Sequence, residues 1–289
     1  MRRVAVTGMG VLSPLGCTLA EVYGNAAGGC SGIRRLEVPF AQRLNAPLAA
    51  TVAFDGATHF EPPRLRMLDR SSQFALVAAR QAFTDAHCVW DLIDRSRVGA
   101  FVGTGMGGSQ SNDDGYQTLY GEDSDRIKPF TVLMGMHNAS AAWIAIEYQL
   151  SGPSLTYSTA CSSSAVAIGE AWLRVASGSL DMAIAGGAEA PLSFGSLKAW
   201  EALHTLAAID AHDPSASCKP FSKKPQRHGA GRRRRHAGAR ILGQRRGARC
   251  HDSRRSVGVW VDHGHRPHHP TQRGGTGGSD AGSTAIGIP

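Results

Sequence analysis

Apolar and polar positions follow two rhythms along the first 210 residues. Val4–Thr7, Val98–Gly103, Ser154–Tyr157 and Met182–Ala185 are short and near-continuously apolar or β-branched. Strands buried on both faces carry that pattern. Between them run longer Ala-rich stretches with apolar positions at helical spacing, at about 71–87, 137–149 and 162–177, and again near 195–204. Ser71–Ser72 reads as a cap before FALVAARQAF. Strands alternating with helices at this interval predict an α/β layered fold around a mostly parallel sheet. No internal repeat stands out.

The pattern stops at Lys224. From 225 to 289, Gly, Arg and His supply 33 of 65 residues, and Lys, Glu, Phe, Tyr and Met are absent. Ile241–Leu242 and Val257–Val261 are the only apolar runs of note. Such a segment buries too little apolar surface to offset chain entropy. The sequence therefore divides into a folded region, 1–224, and a tail, 225–289, expected to be disordered. Charge divides at the same place: the tail holds 13 Arg and three Asp, a net of +10, which leaves −2 on residues 1–224 of a chain whose total is +8. The nucleic-acid reading that a basic protein invites thus attaches to the tail alone, where Arg232–Arg235 is the densest run. A basic run in a disordered tail needs no such purpose.

The six cysteines, at 17, 30, 88, 161, 218 and 250, form no CxxC pair, which argues for free thiols in a reducing cytoplasm. The opening MRRVAVTGMGVLSPLG is too short and too glycine-broken for a signal peptide or a membrane span.

One segment points to chemistry. Tyr157-Ser158-Thr159-Ala160-Cys161-Ser162-Ser163-Ser164 leads from a β-type run into the almost wholly apolar AVAIGEAWLRVASG. A strand–turn–helix layout there puts the Cys161 thiol at a helix N-terminus, where unpaired N–H groups and the positive dipole end favour an anion. Such N–H groups can stabilise an oxyanion on an attacked thioester. A small cysteine that merely packs is the plainer alternative.

The surrounding residues decide between these two. TACSSS, preceded by GPSLTYS and followed by DMAIAGGAE, resembles the active-site region of β-ketoacyl-acyl carrier protein synthases, the ketosynthases of fatty-acid and polyketide synthesis. VAVTGMGVLSPLG resembles the start of the same family, and GTGMGG at 103–108, KPFTV at 128–132 and CKPFSKK at 218–224 follow in family order. The resemblance implies the N-terminal half of a thiolase-like layered fold, usually found in a homodimer. It implies that Cys161 accepts an acyl group from acyl carrier protein and that malonyl carrier protein is then decarboxylated and condensed with it. Met106, Thr131 and Leu197 match positions bordering the acyl pocket, although an aromatic residue is common where Thr131 stands. Arg64 and Arg66 fall where basic residues meet the acidic carrier protein; an ordinary solvated face is the alternative there. No cofactor and no metal is implied. A polyketide-type component shares TACSSS, whereas a non-catalytic partner subunit usually lacks the nucleophile that Cys161 supplies.

Other patterns carry less. Gly103-x-Gly105-x-x-Gly108 after a strand matches the dinucleotide fingerprint, with Glu122 and Asp123 near the expected acid position, but the ketosynthase match accounts for the same glycines. Cys250-His251 and His263, His265, His268 and His269 fit no standard zinc spacing.

The chain also departs from the family. Two C-terminal-half histidines that polarise the malonyl thioester, one in an EAHGTGT-like segment and one in an Asn-Gly-His-like turn, have no counterpart. After CKPFSKK, where R-x-G and GEGA should follow, stands PQRHGAGRRRR. Pro225–Arg235 admits codons whose neighbouring frame reads RSGMALGEGA, and the segment from Asp262 admits TTDTAHITRPSVE in the same shift. A frameshift after Lys224 is therefore expected. With it goes the last strand of the first half's sheet, leaving an edge unpaired and a large apolar face uncovered.

Overall fold

The computed structural model describes residues 1–219 and the backbone of 256–262. In chain order the elements are β1 (Ala5–Leu12), α1 (Leu19–Ala27), β2 (Ile33–Arg35), β3 (Leu48–Ala50), α2 (Pro62–Leu65), α3 (Arg70–Asp85), β4 (Val98–Gly103), α4 (Ser109–Tyr116), α5 (Thr131–Gly135), α6 (Ala139–Tyr148), β5 (Ser154–Tyr157), α7 (Ser163–Ser177), β6 (Met182–Gly187), α8 (Phe194–Ala202) and β7 (Ser256–Asp262). The main sheet has the order β1-β7-β6-β4-β5. β6, β4 and β5 are parallel neighbours, and β7 runs antiparallel to both β1 and β6.

Helices cover both faces, which is why the strands read as unbroken apolar runs. Val98, Ala100 and Val102 of β4 and Ile184 of β6 turn to one side, into a core with Leu76 and Ala79 of α3 and Ile144 of α6. Phe101, Ala183 and Ala185 turn to the other, against Ala167, Ala171 and Val175 of α7. Phe101 is fully buried, so truncating it to Ala costs ~3–5 kcal/mol. β1 is an edge strand whose Met9 and Val11 amides donate to Asp85 Oδ2 (2.9 Å) and Gln81 Oε1 (2.8 Å) of α3. Side chains thus occupy donors that would otherwise template another strand.

Two expectations are corrected. The cap of α3 is Asp69, not Ser71–Ser72: one carboxylate oxygen accepts from the Ser71 amide and hydroxyl, both at 2.8 Å, and the other from the Ser111 amide (3.1 Å) and hydroxyl (2.6 Å). An ionised carboxylate with two acceptor oxygens ties the starts of α3 and α4 together, which a serine hydroxyl cannot do. Ser72 instead lies inside the helix, buried, with its hydroxyl 3.3 Å from that of Ser140.

The second correction concerns one strand position in the sheet. Ser256–Asp262 forms β7 and lies in the sheet interior between β1 and β6, so the strand position expected to be empty is filled. The segment SVGVWVD alternates β-branched residues in the way a paired strand favours, and the gap between β1 and β6 offers it backbone partners on both sides. The rest of 225–289 lies outside the described residues.

The expected exposed apolar surface is present. Val132 and Leu133 on α5, Ile146 on α6, Leu155 on the edge strand β5, and Trp172 and Leu173 on α7 are all exposed.

Candidate functional site

β4, β5 and β6 run parallel, so the segments that leave them emerge at one end of the sheet, the end where open α/β sheets place their ligands. Cys161 leaves β5 there. It is exposed and occupies the middle of a single 3₁₀ turn, Ala160–Ser162, that runs directly into α7. Two neighbouring side chains brace that turn through three hydrogen bonds. The Thr159 amide donates to Ser163 Oγ at 2.8 Å, the Ser163 hydroxyl donates to the Ala160 carbonyl at 2.7 Å, and the Ser162 hydroxyl donates to the Thr159 carbonyl at 2.8 Å. Ala160 sits at φ 54°, in the left-handed region, a conformation that persists for an L-residue only where its surroundings over-determine it.

Gly103, the last residue of β4, backs onto the first turn of α7: a Cβ there would lie 2.2 Å from the Ser163 carbonyl carbon. Only a residue without a side chain lets α7 approach the strand this closely. The strand–turn–helix layout read from the sequence is therefore the one observed, with Cys161 in the turn just before the first residues of α7, whose amides lack intrahelical acceptors.

Met106 is half-buried in the loop after β4. Thr131 opens α5 and packs on α4, its Cγ2 3.0 Å from where a Cβ at Gly115 would stand. The Met106 loop meets α5 at Gly108, where a Cβ would fall 1.8 Å from the Met134 carbonyl. Leu197 is buried on α8 with Leu36, Leu44 and Ala49, and α8 is joined to α4 by the Gly195 amide donating to Asp113 Oδ2 at 2.9 Å. All three expected pocket residues thus lie on elements that converge on α4; Leu197 reaches it from a separate small core.

Arg64 and Arg66 have different environments. Arg64 donates to Glu147 at 2.6 Å, a carboxylate also held by Arg80 at 2.6 and 3.0 Å, and its guanidinium lies over the rings of Phe60 and Trp143. Arg66 caps α2 and is exposed.

Glu189, which the sequence reading passed over, is partly buried just beyond β6. It accepts from the Gly105 amide at 2.5 Å, the Met106 amide at 3.2 Å and the Thr104 hydroxyl at 3.3 Å. Burial pushes its carboxyl up from the ordinary value, against the pull of those donors. The only signal in the sequence is an acid directly after a buried strand, a position that needs a partner. The Gly105, Met106 and Gly107 amides of the glycine-rich 103–108 segment thus all have acceptors within the chain. Among the other thiols, Cys17 donates to the Ala53 carbonyl at 3.5 Å, and burial pushes it up. Among the described residues no cluster of three or more His, Cys, Asp or Glu side chains is placed to hold a metal; Cys250-His251 and His263–His269 lie outside them.

Residues 1–231 match the family model described as Beta-ketoacyl synthase, N-terminal domain. The chain belongs to the β-ketoacyl synthase family. It is 31% identical over 223 residues to 3-oxoacyl-[acyl-carrier-protein] synthase 2 of Staphylococcus aureus (strain COL), covering 77% of this chain and 53% of that protein. It spans about half the length of the curated relatives it matches. A beta-ketoacyl synthase from Burkholderia phymatum STM815 superposes with a TM-score of 0.70 at 22% identity, over 91% of this chain and 59% of the other. A ketosynthase solved with its type II polyketide acyl-carrier protein gives the same score and identity, over 90% and 58%. At that identity the superpositions establish a shared ketosynthase fold. No helix among the described residues is long and apolar enough to cross a membrane.

Proposed function

We propose that this β-ketoacyl synthase chain carries the acyl-accepting half of a 3-oxoacyl-acyl carrier protein synthase of the fatty-acid type, with Cys161 as nucleophile. The observation that carries the reading is the placement of Cys161: exposed, in the 3₁₀ turn that leads into α7, where the ends of three parallel strands meet. The Cys161 thiolate attacks the carbonyl carbon of a carrier-protein thioester. The carbonyl oxygen becomes an oxyanion facing the amides of the turn, and collapse expels the carrier's thiolate, which takes up a proton. The acyl group is left on Cys161, and one difficult step is divided into two.

Met106, Thr131 and Leu197 border the acyl chain, and Arg66 meets the acidic carrier protein. Arg64 contributes less, because its guanidinium is committed to Glu147. The exposed apolar residues of α5, α6, β5 and α7 fit the dimer contact and missing-half contact of the family. The similar proteins of Staphylococcus aureus and Coxiella burnetii are named 3-oxoacyl-[acyl-carrier-protein] synthase 2, which supports the fatty-acid reading over a polyketide component. The tail, 225–289, is read as the product of a shifted frame. Acceptance of the acyl group is the step of the family's reaction that the residues around Cys161 carry.

The test is transfer of a radiolabelled acyl group from acyl carrier protein to the 289-residue chain, followed by peptide mapping. Label confined to the Cys161 peptide and lost in Cys161→Ala supports the reading. Label spread evenly over the cysteines refutes it.

A further inference from the structure

Convergent backbone amides ordinarily make an anion-binding concavity. Beside Cys161 the chain supplies the anion itself. The Gly105 and Met106 amides point at Glu189 directly, at 2.5 and 3.2 Å, and the Gly107 amide reaches it through Thr104, whose Oγ1 accepts at 3.0 Å while its hydroxyl donates to Glu189 at 3.3 Å. Three successive amides of one loop are thus fixed by one carboxylate.

The strands do not require this arrangement for their own pairing. β4 and β6 are already joined along their whole length, and the Ala188 amide continues the ladder to the Gly103 carbonyl at 3.1 Å. What Glu189 holds is the irregular segment beyond the strands. That segment borders the site on two sides: Gly105 stands so that a Cβ would be 3.1 Å from Glu189 Oε2 and 3.9 Å from the Ala160 carbonyl, next to the thiol, and Met106 follows it immediately.

We propose that Glu189 is a positioning residue whose carboxylate fixes the Thr104–Gly107 loop, and thereby sets where Met106 closes the acyl pocket and how firmly the left-handed Ala160 is backed. The pocket part of this proposal rests on the assignment of Met106 made above. Glu189→Gln keeps one acceptor oxygen but turns an NH2 group toward the amides; Glu189→Ala removes both acceptors.

The experiment uses the full chain and reagents that need no carrier protein. Amide hydrogen exchange is followed by peptide, and Cys161 is alkylated with N-ethylmaleimide and with a long-chain N-alkylmaleimide. In Glu189→Ala, exchange at 104–107 accelerates about tenfold, the factor that follows from one lost hydrogen bond to a charged group, while α3 and β4 stay protected. The ratio of long-chain to short-chain alkylation rates falls by a similar factor, and Glu189→Gln lies between. Unchanged exchange at 104–107, acceleration spread evenly over the whole chain, a loosened loop with an unchanged rate ratio, or a parent chain indifferent to reagent length would each overturn the proposal. A chain that shows the expected changes but takes no acyl group from carrier protein would sink the proposed function and leave the positioning role supported.

Discussion

Replacing Gly103 with Ala tests whether the closeness of β4 to α7 is what places Cys161, the proposed nucleophile. The added Cβ would lie 2.2 Å from the Ser163 carbonyl carbon, 2.3 Å from its oxygen and 2.4 Å from the Ser164 nitrogen, where ordinary contact begins at 3.4 Å. All three are backbone atoms, so no side chain can swing aside, and strand and helix must separate by roughly 1 Å. β4 is the less free of the two, because it is paired at Gly103 with Tyr157 on one side and Gly187 on the other. The first turn of α7 therefore moves, and Cys161 with it. Overpacking of this kind costs ~1–3 kcal/mol, a fall in melting temperature of roughly 2–4 °C per kcal/mol at this size. A 1 Å misplacement of a reacting group costs about 10²-fold in rate, so acyl transfer to Cys161, followed by intact mass, should fall more steeply than stability. Gly169→Ala is the control: it lies in the same helix with nothing within 4 Å of the added atom, and Ala there gains about 0.5–1 kcal/mol of helix propensity. A Gly103→Ala chain that melts and acylates like the parent would show that the thiol is not placed by this contact.

Four further outcomes are expected. Reading the coding DNA should reveal one base gained or lost near codon 224, with the shifted frame running on through an EAHGTGT-like segment; early stop codons in that frame would end the idea. Arg66→Glu should weaken carrier-protein binding with little change in melting, whereas Arg64→Ala should lower the melting temperature by breaking a partly buried pair with Glu147, and the reverse ranking would count against the assignment. Val259→Pro removes a ladder donor from a strand paired on both sides and should destabilise the chain by about 3 kcal/mol or more, while a chain indifferent to it does not depend on β7. Because burial raises the Glu189 carboxyl, the folded chain binds that proton more readily than the unfolded one; stability should therefore fall as pH rises from about 4 through the raised value, a slope that thermal melts of Glu189→Gln should lack.

The parts legible in the sequence were those whose signal is local. Val98–Gly103 and Ser154–Tyr157 are strands with the ends their apolar runs suggested, because burial on both faces leaves no polar interruption. β2 and β3 have three residues each, too few for any period to show, and SQSNDDGY of α4 is polar on every side. Asp69 was overlooked as the cap because half of its work is done on Ser111, 42 residues away. Glu189 was overlooked for a similar reason: its partners lie 83 to 85 residues earlier. β7 lies in a segment whose overall composition argues against folding, yet seven residues suffice for a strand when two neighbours already wait on either side. Composition averaged over 65 residues hides such an island.

The same division between local and distant runs through the chemistry. Everything around Cys161 comes from segments that end before Lys224: the braced turn, the glycine against Ser163, and the loop held by Glu189. In the proposed reaction, attack on a thioester would draw mainly on that local set, with its oxyanion beside the amides of the turn. Decarboxylation of a malonyl thioester develops charge at a second oxygen, on a substrate not yet bonded to the protein, and needs donors aimed there from outside this set. Losing a single such donor costs about 10²–10³ in rate, and in the family that role belongs to two histidines absent from this chain. An exposed Cys161 adds to the difference, because a carbanion beside open water is protonated before it condenses. Under the proposed function, the groups that accept the acyl chain lie together around Cys161, and the donors that decarboxylation requires come from outside that set.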